Sequence, residues 1–203
     1  MSLIIWGRLN SHNVKKVAWA ADEIGMRHVR HDIGGSFGYT DAYLEMNPNR
    51  LVPTVEDDGF VLWESNAILR YLASKYASEL WPSHLEERAS ADRWMDWQFG
   101  YADAQRDAFV NLVRRAPADR DMAAVAASAK RCGEMMAMLD DALAAQRWLT
   151  GDDFGIGDMP MGVYAHSWFS LDIDRPARPH VEAWYARLRD RPAYVATVMI
   201  PLT

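Results

Sequence analysis

Two groups of polar residues lie where helices are predicted to begin. Ser11, His12 and Asn13 follow the first apolar run of the chain, and Glu64 and Ser65 directly precede another stretch of helical spacing. A helix N-terminus carries unpaired N–H groups and a partial positive charge, so it can bind a carboxylate or favour a thiolate. A serine at such a position is also commonly a simple N-cap. The residues alone leave both roles open at both places, and the two roles can coexist.

A third candidate is the dipeptide Val52-Pro53, which stands directly before a predicted strand. Proline has no backbone donor, so an ordinary trans proline suits the start of an edge strand. A cis bond is the alternative, and it would turn the amide and carbonyl of Val52 outward as an unpaired edge. Taken by themselves, the residues favour the trans form.

The segment Asn47–Leu72, which contains two of these candidates, predicts a hairpin followed by a helix. Thr54–Glu56 and Phe60–Trp63 are β-prone runs, and Asp57–Gly59 between them suits a tight turn. Apolar residues then recur at helical spacing, at Ala67, Ile68, Tyr71 and Leu72. The hairpin and the helix are therefore predicted to lie in direct succession.

The residues before this segment predict further elements of the same unit. In chain order they are a strand at Leu3–Trp6, a helix at Ser11–Ile24 that Gly25 ends, a strand at Arg27–Ile33 and a short helix at Thr40–Met46. The order βαβ, short helix, ββ, helix is that of a thioredoxin-like unit. Its first two strands should be parallel, because a helix joins them, and the hairpin should add an antiparallel edge.

The pattern changes at Trp81-Pro82-Ser83, which indicates a linker. Beyond it the chain shows helical patterns, with long amphipathic runs at Glu86–Arg115 and Asp119–Gln146. We therefore predict an α/β, thioredoxin-like N-terminal domain at residues 1–78. An all-helical C-terminal domain is predicted to follow at residues 85–203.

Asp158 has a predicted structural role at the start of a later helix, near Phe154–Met159. It stands three residues after Gly155, which is the spacing of a capping box. Because Gly155 has no hydroxyl group, only half of that reciprocal pair is expected. A last helix is predicted from Pro179 and is broken by Pro192.

Composition excludes several classes of function. Half of the 203 residues are apolar, which allows a sizeable core, and the net charge of −6 argues against general nucleic-acid binding. The single cysteine, Cys132, excludes an intrachain disulfide and a CxxC pair, and it suits a reducing, cytoplasmic setting. We expect no membrane span, since no long uncharged apolar segment occurs. We also expect no metal site, because His28 and His31 should face opposite sides of a strand. The loop Gly34–Gly38 lacks the spacing of dinucleotide and phosphate loops.

The segment Asn47–Leu72 closely resembles the core of the cytosolic glutathione transferase family. The resemblance spans the chain; it is good over Gly7–Trp19 and Gly151–Gly162 and loose between Phe99 and Gln146. In that family a cis-proline precedes the third strand, and the backbone of the preceding residue pairs with the cysteinyl unit of glutathione. The resemblance therefore implies that Val52–Pro53 is cis and that this dipeptide binds glutathione.

The same resemblance assigns roles to the two helix starts. It implies that Ser65 holds the γ-glutamyl carboxylate by its hydroxyl and amide groups, and that Glu64 faces the ammonium group. The glutathione sulfur would then lie near the start of the first helix. Bacterial members place a serine or threonine there with an asparagine two residues later, which implies that Ser11 is the main thiolate donor and Asn13 the second. His12 is given no role.

The expected function is therefore that of a glutathione S-transferase, with glutathione as co-substrate and no cofactor. A second substrate, a small electrophile or a disulfide, is expected against the first helix of the C-terminal domain. Three residues on one face of that helix are the candidates for this site: Trp94, Gln98 and Tyr101. The alternatives are a glutathione-dependent disulfide reductase and a non-catalytic binding or regulatory module. The family also implies a homodimer.

Overall fold

The computed structural model describes residues 3–203, so the first two residues of the predicted N-terminal domain lie outside the described part. The chain divides into two compact units. The first extends to Trp81 and also includes Pro192–Ile200, while the second comprises Pro82–Arg191 and Pro201–Thr203.

The described residues form four strands and eight α-helices. The strands are β1 (Leu3–Trp6), β2 (His28–His31), β3 (Thr54–Asp57) and β4 (Phe60–Trp63). The helices are α1 (His12–Glu23), α2 (Asp41–Met46), α3 (Ser65–Tyr76), α4 (Leu85–Phe109), α5 (Met122–Ala145), α6 (Met159–Ser170), α7 (Pro179–Arg189) and α8 (Pro192–Thr197).

The first unit is built on one mixed sheet with the strand order β2-β1-β3-β4. β1 runs parallel to β2 and antiparallel to β3, and β3 forms a hairpin with β4. Asp58 and Gly59 turn the hairpin with φ angles of 50° and 87°, in the left-handed region that two-residue hairpin turns need. The sheet and its helices confirm the predicted thioredoxin-like unit.

β2 is shorter than the strand predicted from the sequence, which covered Arg27–Ile33. As an edge strand, β2 pairs only with β1, and β1 offers four residues, Leu3–Trp6. In the structure β2 comprises His28–His31, and beyond it the amide of Arg8 donates to the carbonyl of Ile33 at 3.2 Å. The loop that follows contains a single 3₁₀ turn at Gly35–Phe37.

Helices α1 and α3 pack against each other in the core of the first unit. Val17 of α1 and Ile68 of α3 are completely buried, as their helical spacing predicts. α8 also packs against α1, where Tyr194 meets Trp19 edge to face with ring centroids 4.8 Å apart. The packing of α1 against α3 and α8 thus holds the residues at the start of α1 in place.

The second unit is helical, as predicted, and residues 82–191 contain no strand. α4 packs against α5 and α6, and α5 packs against α7. The long helix predicted to reach Arg115 ends as an α-helix at Phe109 and continues as a π-helical turn, Val110–Arg114. None of the helices within residues 3–203 is both long enough and apolar enough to cross a membrane.

Candidate binding and catalytic site

The starts of α1 and α3 meet through side chains that are far apart in the sequence. The Ser65 hydroxyl donates to Oδ1 of Asn13 at 3.3 Å, across a separation of 52 residues. Ser65 is buried and Asn13 is half-buried. The structure thus brings together one residue predicted to bind a carboxylate and one predicted to stabilise a thiolate.

Ser11 occupies the N-cap position of α1 without using its hydroxyl as a cap. Its backbone is extended, with φ −79° and ψ 128°, and its carbonyl accepts from the amide of Lys15 at 2.9 Å. The side chain makes no capping hydrogen bond, and the described residues offer its hydroxyl no other. The half-buried hydroxyl is therefore available to a ligand at the N-terminus of α1.

The peptide bond between Val52 and Pro53 is cis, as the resemblance implied and against the simpler interpretation of the residues alone. Pro53 is buried and Val52 is half-buried. Within residues 3–203, the amide and carbonyl of Val52 have no hydrogen-bond partner. This backbone can accept a peptide as a short added strand.

Two polar side chains that the sequence reasoning missed hold the segment in front of Val52. The Tyr43 hydroxyl donates to the carbonyl of Leu51 at 2.5 Å, and Nδ2 of Asn47 donates to the same oxygen at 3.1 Å. Asn47 also donates to Oγ1 of Thr54 at 3.0 Å, and Tyr43 lies 2.9 Å from that atom. These buried bonds fix the backbone on both sides of Val52. The only sequence signal was the turn-forming Asn-Pro-Asn at residues 47–49.

Glu64 has an unusual backbone at the start of α3. Its φ of 74° lies in the left-handed region, which costs a residue other than glycine on the order of 1–3 kcal/mol. Its carbonyl accepts from the amide of Ile68 at 2.9 Å, and its side chain is exposed. The amides of Ser65 and Ala67 in the first turn have no partner within the described chain. The start of α3 therefore presents free donors beside a strained residue.

Lys16 is the main residue that the sequence reasoning overlooked. It is completely buried, and its Nζ donates to Oγ of Ser65 at 3.4 Å and to Oδ1 of Asn66 at 3.3 Å. Burial lowers the pKa of Lys16 to about 7, because the ammonium group loses its contacts with water, and the charge of Glu64 partly opposes this. The available signal was its spacing, since Lys16 lies three residues after Asn13 on one helix face.

The three residues predicted for the second substrate lie along α4 in the second unit. Trp94, Gln98 and Tyr101 are all buried. Oη of Tyr101 accepts from Nε2 of Gln105 at 3.2 Å, and the Trp94 ring meets that of Trp97 at 5.4 Å. Their shared face is as expected from the spacing. Their role in binding a substrate stays a prediction.

Cys132 is buried, as predicted for an inert thiol, and burial raises its pKa to about 11. Across residues 3–203, no group of three or more histidine, cysteine, aspartate or glutamate residues could hold a metal ion. The groups that meet at the two helix starts are hydroxyl, amide and ammonium groups.

Comparison with known proteins matches this architecture to one family. The family model for the N-terminal domain of glutathione S-transferases matches residues 7–80. Glutathione S-transferase GstB of Escherichia coli is 42% identical over 207 residues, which cover 99% of this chain and 100% of that protein.

One solved structure and one more distant relative give further comparisons. The theta class glutathione S-transferase of the citrus canker pathogen Xanthomonas axonopodis pv. citri, with glutathione bound, matches with a TM-score of 0.96. The identity is 50%, and 99% of each chain is covered. Disulfide-bond oxidoreductase YfcG of Escherichia coli is 29% identical over 179 residues, which cover 84% of this chain and 82% of that protein.

Proposed function

Since the chain belongs to the glutathione S-transferase family, we propose that its two helix starts bind glutathione and stabilise its thiolate for transfer to an electrophilic small molecule. Val52 and Pro53 hold the cysteinyl unit, and Ser65 and Glu64 hold the γ-glutamyl end. Ser11 and Asn13 stabilise the sulfur. Glutathione is the co-substrate, and we assign no further cofactor.

The observation that carries this proposal is the contact between Ser65 and Asn13, because it joins the starts of α3 and α1. The free amides in the first turn of α3 suit a carboxylate, and the unused hydroxyl of Ser11 suits a thiolate. The open backbone of Val52 supplies the third point of attachment. The amides of α3, the hydroxyl of Ser11 and the backbone of Val52 thus suit three groups of glutathione: the γ-glutamyl carboxylate, the sulfur and the cysteinyl backbone.

The chemistry needs no general base within the protein. A free thiol has a pKa near 8.5, and one charge-assisted hydrogen bond is worth about 1.5–3 kcal/mol, enough to lower that pKa by roughly one to two units. The thiol proton passes to solvent, and the sulfur lone pair forms the new bond to carbon as the leaving group departs with its electrons. Proximity of the bound electrophile supplies the remaining acceleration.

Disulfide reduction is the second candidate, and the relative YfcG favours it. The same thiolate would attack a sulfur atom, release a thiol and leave a mixed disulfide with glutathione. A second glutathione would then release the product. A panel of aryl halides, epoxides and mixed disulfides, assayed with and without glutathione, separates the two reactions.

The central test compares Ser11→Ala and Asn13→Ala with the wild type. We expect each change to lower turnover at least about tenfold, because each removes a donor that favours the thiolate. Binding of glutathione should persist, since both residues act at the sulfur. Ser36→Ala, an exposed serine in a loop of the same unit, is the matched control. Wild-type turnover in both site variants would refute the assignment, and absence of glutathione binding by the wild type would refute the function.

We further propose that the protein is a homodimer. Large apolar side chains are exposed on the first unit at Leu51, Phe60, Val61 and Trp63. Such exposure is typical of a surface that another chain covers. We propose the cytoplasm as its location, where reduced glutathione and an unpaired Cys132 are compatible.

A further inference from the structure

We propose that Lys16 is a positioning residue for glutathione, which orients the Ser65 hydroxyl so that its proton is available to the γ-glutamyl carboxylate. The inference rests on the proposed function and names a residue of that site. The central atom is Oγ of Ser65, which contacts both Lys16 and Asn13.

The hydrogen bonds at Oγ of Ser65 have a defined direction. While Lys16 carries its proton, its ammonium group has three donors and no acceptor, so Oγ of Ser65 accepts from it. The hydroxyl carries one proton, and that proton must point elsewhere. In this structure it points to Oδ1 of Asn13 at 3.3 Å. Lys16 therefore fixes Ser65 as a donor toward the side on which the ligand is proposed to bind.

The γ-glutamyl carboxylate is proposed to bind at the first turn of α3. The amide of Ser65 is unpaired within the described residues and begins α3, so a carboxylate held there also lies within reach of the serine hydroxyl. A carboxylate is a stronger acceptor than the amide oxygen of Asn13. The bound carboxylate therefore takes over the proton that Asn13 accepts in this structure.

Lys16 also contributes rigidity and positive charge at the start of α3. Lys16 also donates to Oδ1 of Asn66, the residue after Ser65, so its ammonium group ties two consecutive residues of α3 to α1. It is completely buried, so solvent screens its charge weakly. A positive charge beside the start of α3 adds to the partial charge of the helix N-terminus. Both effects favour an anion at that place.

The neighbouring residue offers a matched control. Lys15 is also buried and its Nζ also donates to an oxygen, the carbonyl of Val198 at 3.0 Å. That oxygen lies after α8 and belongs to none of the residues proposed to bind glutathione. Lys15→Met removes a buried lysine from the same helix without touching Ser65.

The test is a double-mutant cycle of Lys16→Met and Ser65→Ala, read by calorimetric titration with glutathione. We expect Lys16→Met alone to weaken binding at least about tenfold, as loss of a charged donor does. It should weaken binding less when Ser65 is already alanine, because the part of its effect that acts through Oγ of Ser65 is then absent, whereas its charge and its bond to Asn66 remain. Lys16→Arg should recover part of the affinity, and Lys15→Met should bind like the wild type.

The outcomes separate this inference from the function on which it rests. Failure of the wild type to bind glutathione would refute the proposed function. Binding by the wild type, together with equal binding by Lys16→Met or losses that add in the double variant, would overturn the role of Lys16 alone. If Lys16→Met does not fold, Lys16→Gln completes the same cycle, since it keeps a donor and removes the charge.

Discussion

Lys15 and Lys16 are neighbours in α1, and the fold buries both ammonium groups in different surroundings. The amine of Lys15 donates to the carbonyl of Val198, and that of Lys16 donates to side chains of α3. Burial lowers the pKa of Lys15 to about 8 and that of Lys16 to about 7. The folded state therefore holds both protons less firmly than the unfolded chain does.

This difference predicts how stability depends on pH. Below about pH 7 both states keep the proton of Lys16, and above about pH 10.5 neither does. Between these values the unfolded chain binds more protons, so the free energy of unfolding rises with pH, by at most about 1.4 kcal/mol per pH unit. Lys16→Met lacks this contribution. The stability of the wild type relative to this variant should therefore increase from about pH 7 to about pH 9 in urea denaturation.

Lys15→Met tests the same effect of burial on a lysine whose pKa is lowered less, to about 8. Its stability relative to the wild type should begin to change about one pH unit higher, since the two pKa values are about 8 and about 7. A difference that stays constant across the range, in both variants, would contradict the burial of charge as the cause.

Local patterns in the sequence could predict the positions of Ser11 and Val52 but not their environment. A helix start and a proline before a strand are features of adjacent residues, and the cis bond followed only from resemblance to a family. The contact between Ser65 and Asn13 joins residues that are 52 apart, and the burial of Lys16 requires α1 to pack on α3. Neither has a local signal, because both arise when distant elements meet.

At the scale of elements, Asp158 organises the second unit. Asp158 occupies the N-cap position of α6, and its buried carboxylate makes no capping bond to that helix. The carboxylate instead accepts five hydrogen bonds from four residues: from the amides of Leu149 and Thr150, the hydroxyl of Thr150, the amide of Gly155 and the indole of Trp184 in α7. The bond from the amide of Gly155 is the one expected from the spacing, but α6 begins only at Met159, so the bond closes the turn before the helix and does not cap its first turn. The bonds to Leu149 and Trp184 were not foreseeable, since they depend on packing. One side chain thus joins α6, α7 and the preceding loop.

Replacement of this aspartate should destabilise the protein without acting on the chemistry. Asp158→Ala leaves several buried donors unpaired, and we expect the free energy of unfolding to fall by about 3 kcal/mol or more. Urea denaturation at constant pH measures the change. Asp153→Ala, an exposed aspartate in the same loop, should change stability by less than about 0.5 kcal/mol. Equal stability of the two variants would show that the hydrogen bonds of Asp158 contribute little.

At the scale of the whole molecule, the exposed apolar side chains of the first unit bear on the proposed assembly. β4 is an edge strand of the sheet, and Phe60 and Trp63 on it are 49% and 39% exposed. Leu51, in the segment before β3, is 60% exposed. Edge strands and large apolar side chains left in water favour association with another chain. A two-fold contact would use the same surface on both copies.

Two charge substitutions on the proposed interface test this surface, with a third at the opposite edge of the sheet as the control. Leu51→Glu and Phe60→Glu place a carboxylate on the proposed interface, where burial of an unpaired charge is unfavourable. We expect each to convert the dimer into a monomer at micromolar concentration, as measured by sedimentation velocity. Val29→Glu is the matched control, because Val29 is also exposed, at 57%, but lies on β2 at the other edge of the sheet. A monomeric wild type would refute the dimer. If the Val29 variant dissociates while the other two stay dimeric, the interface lies at β2 and not at β4.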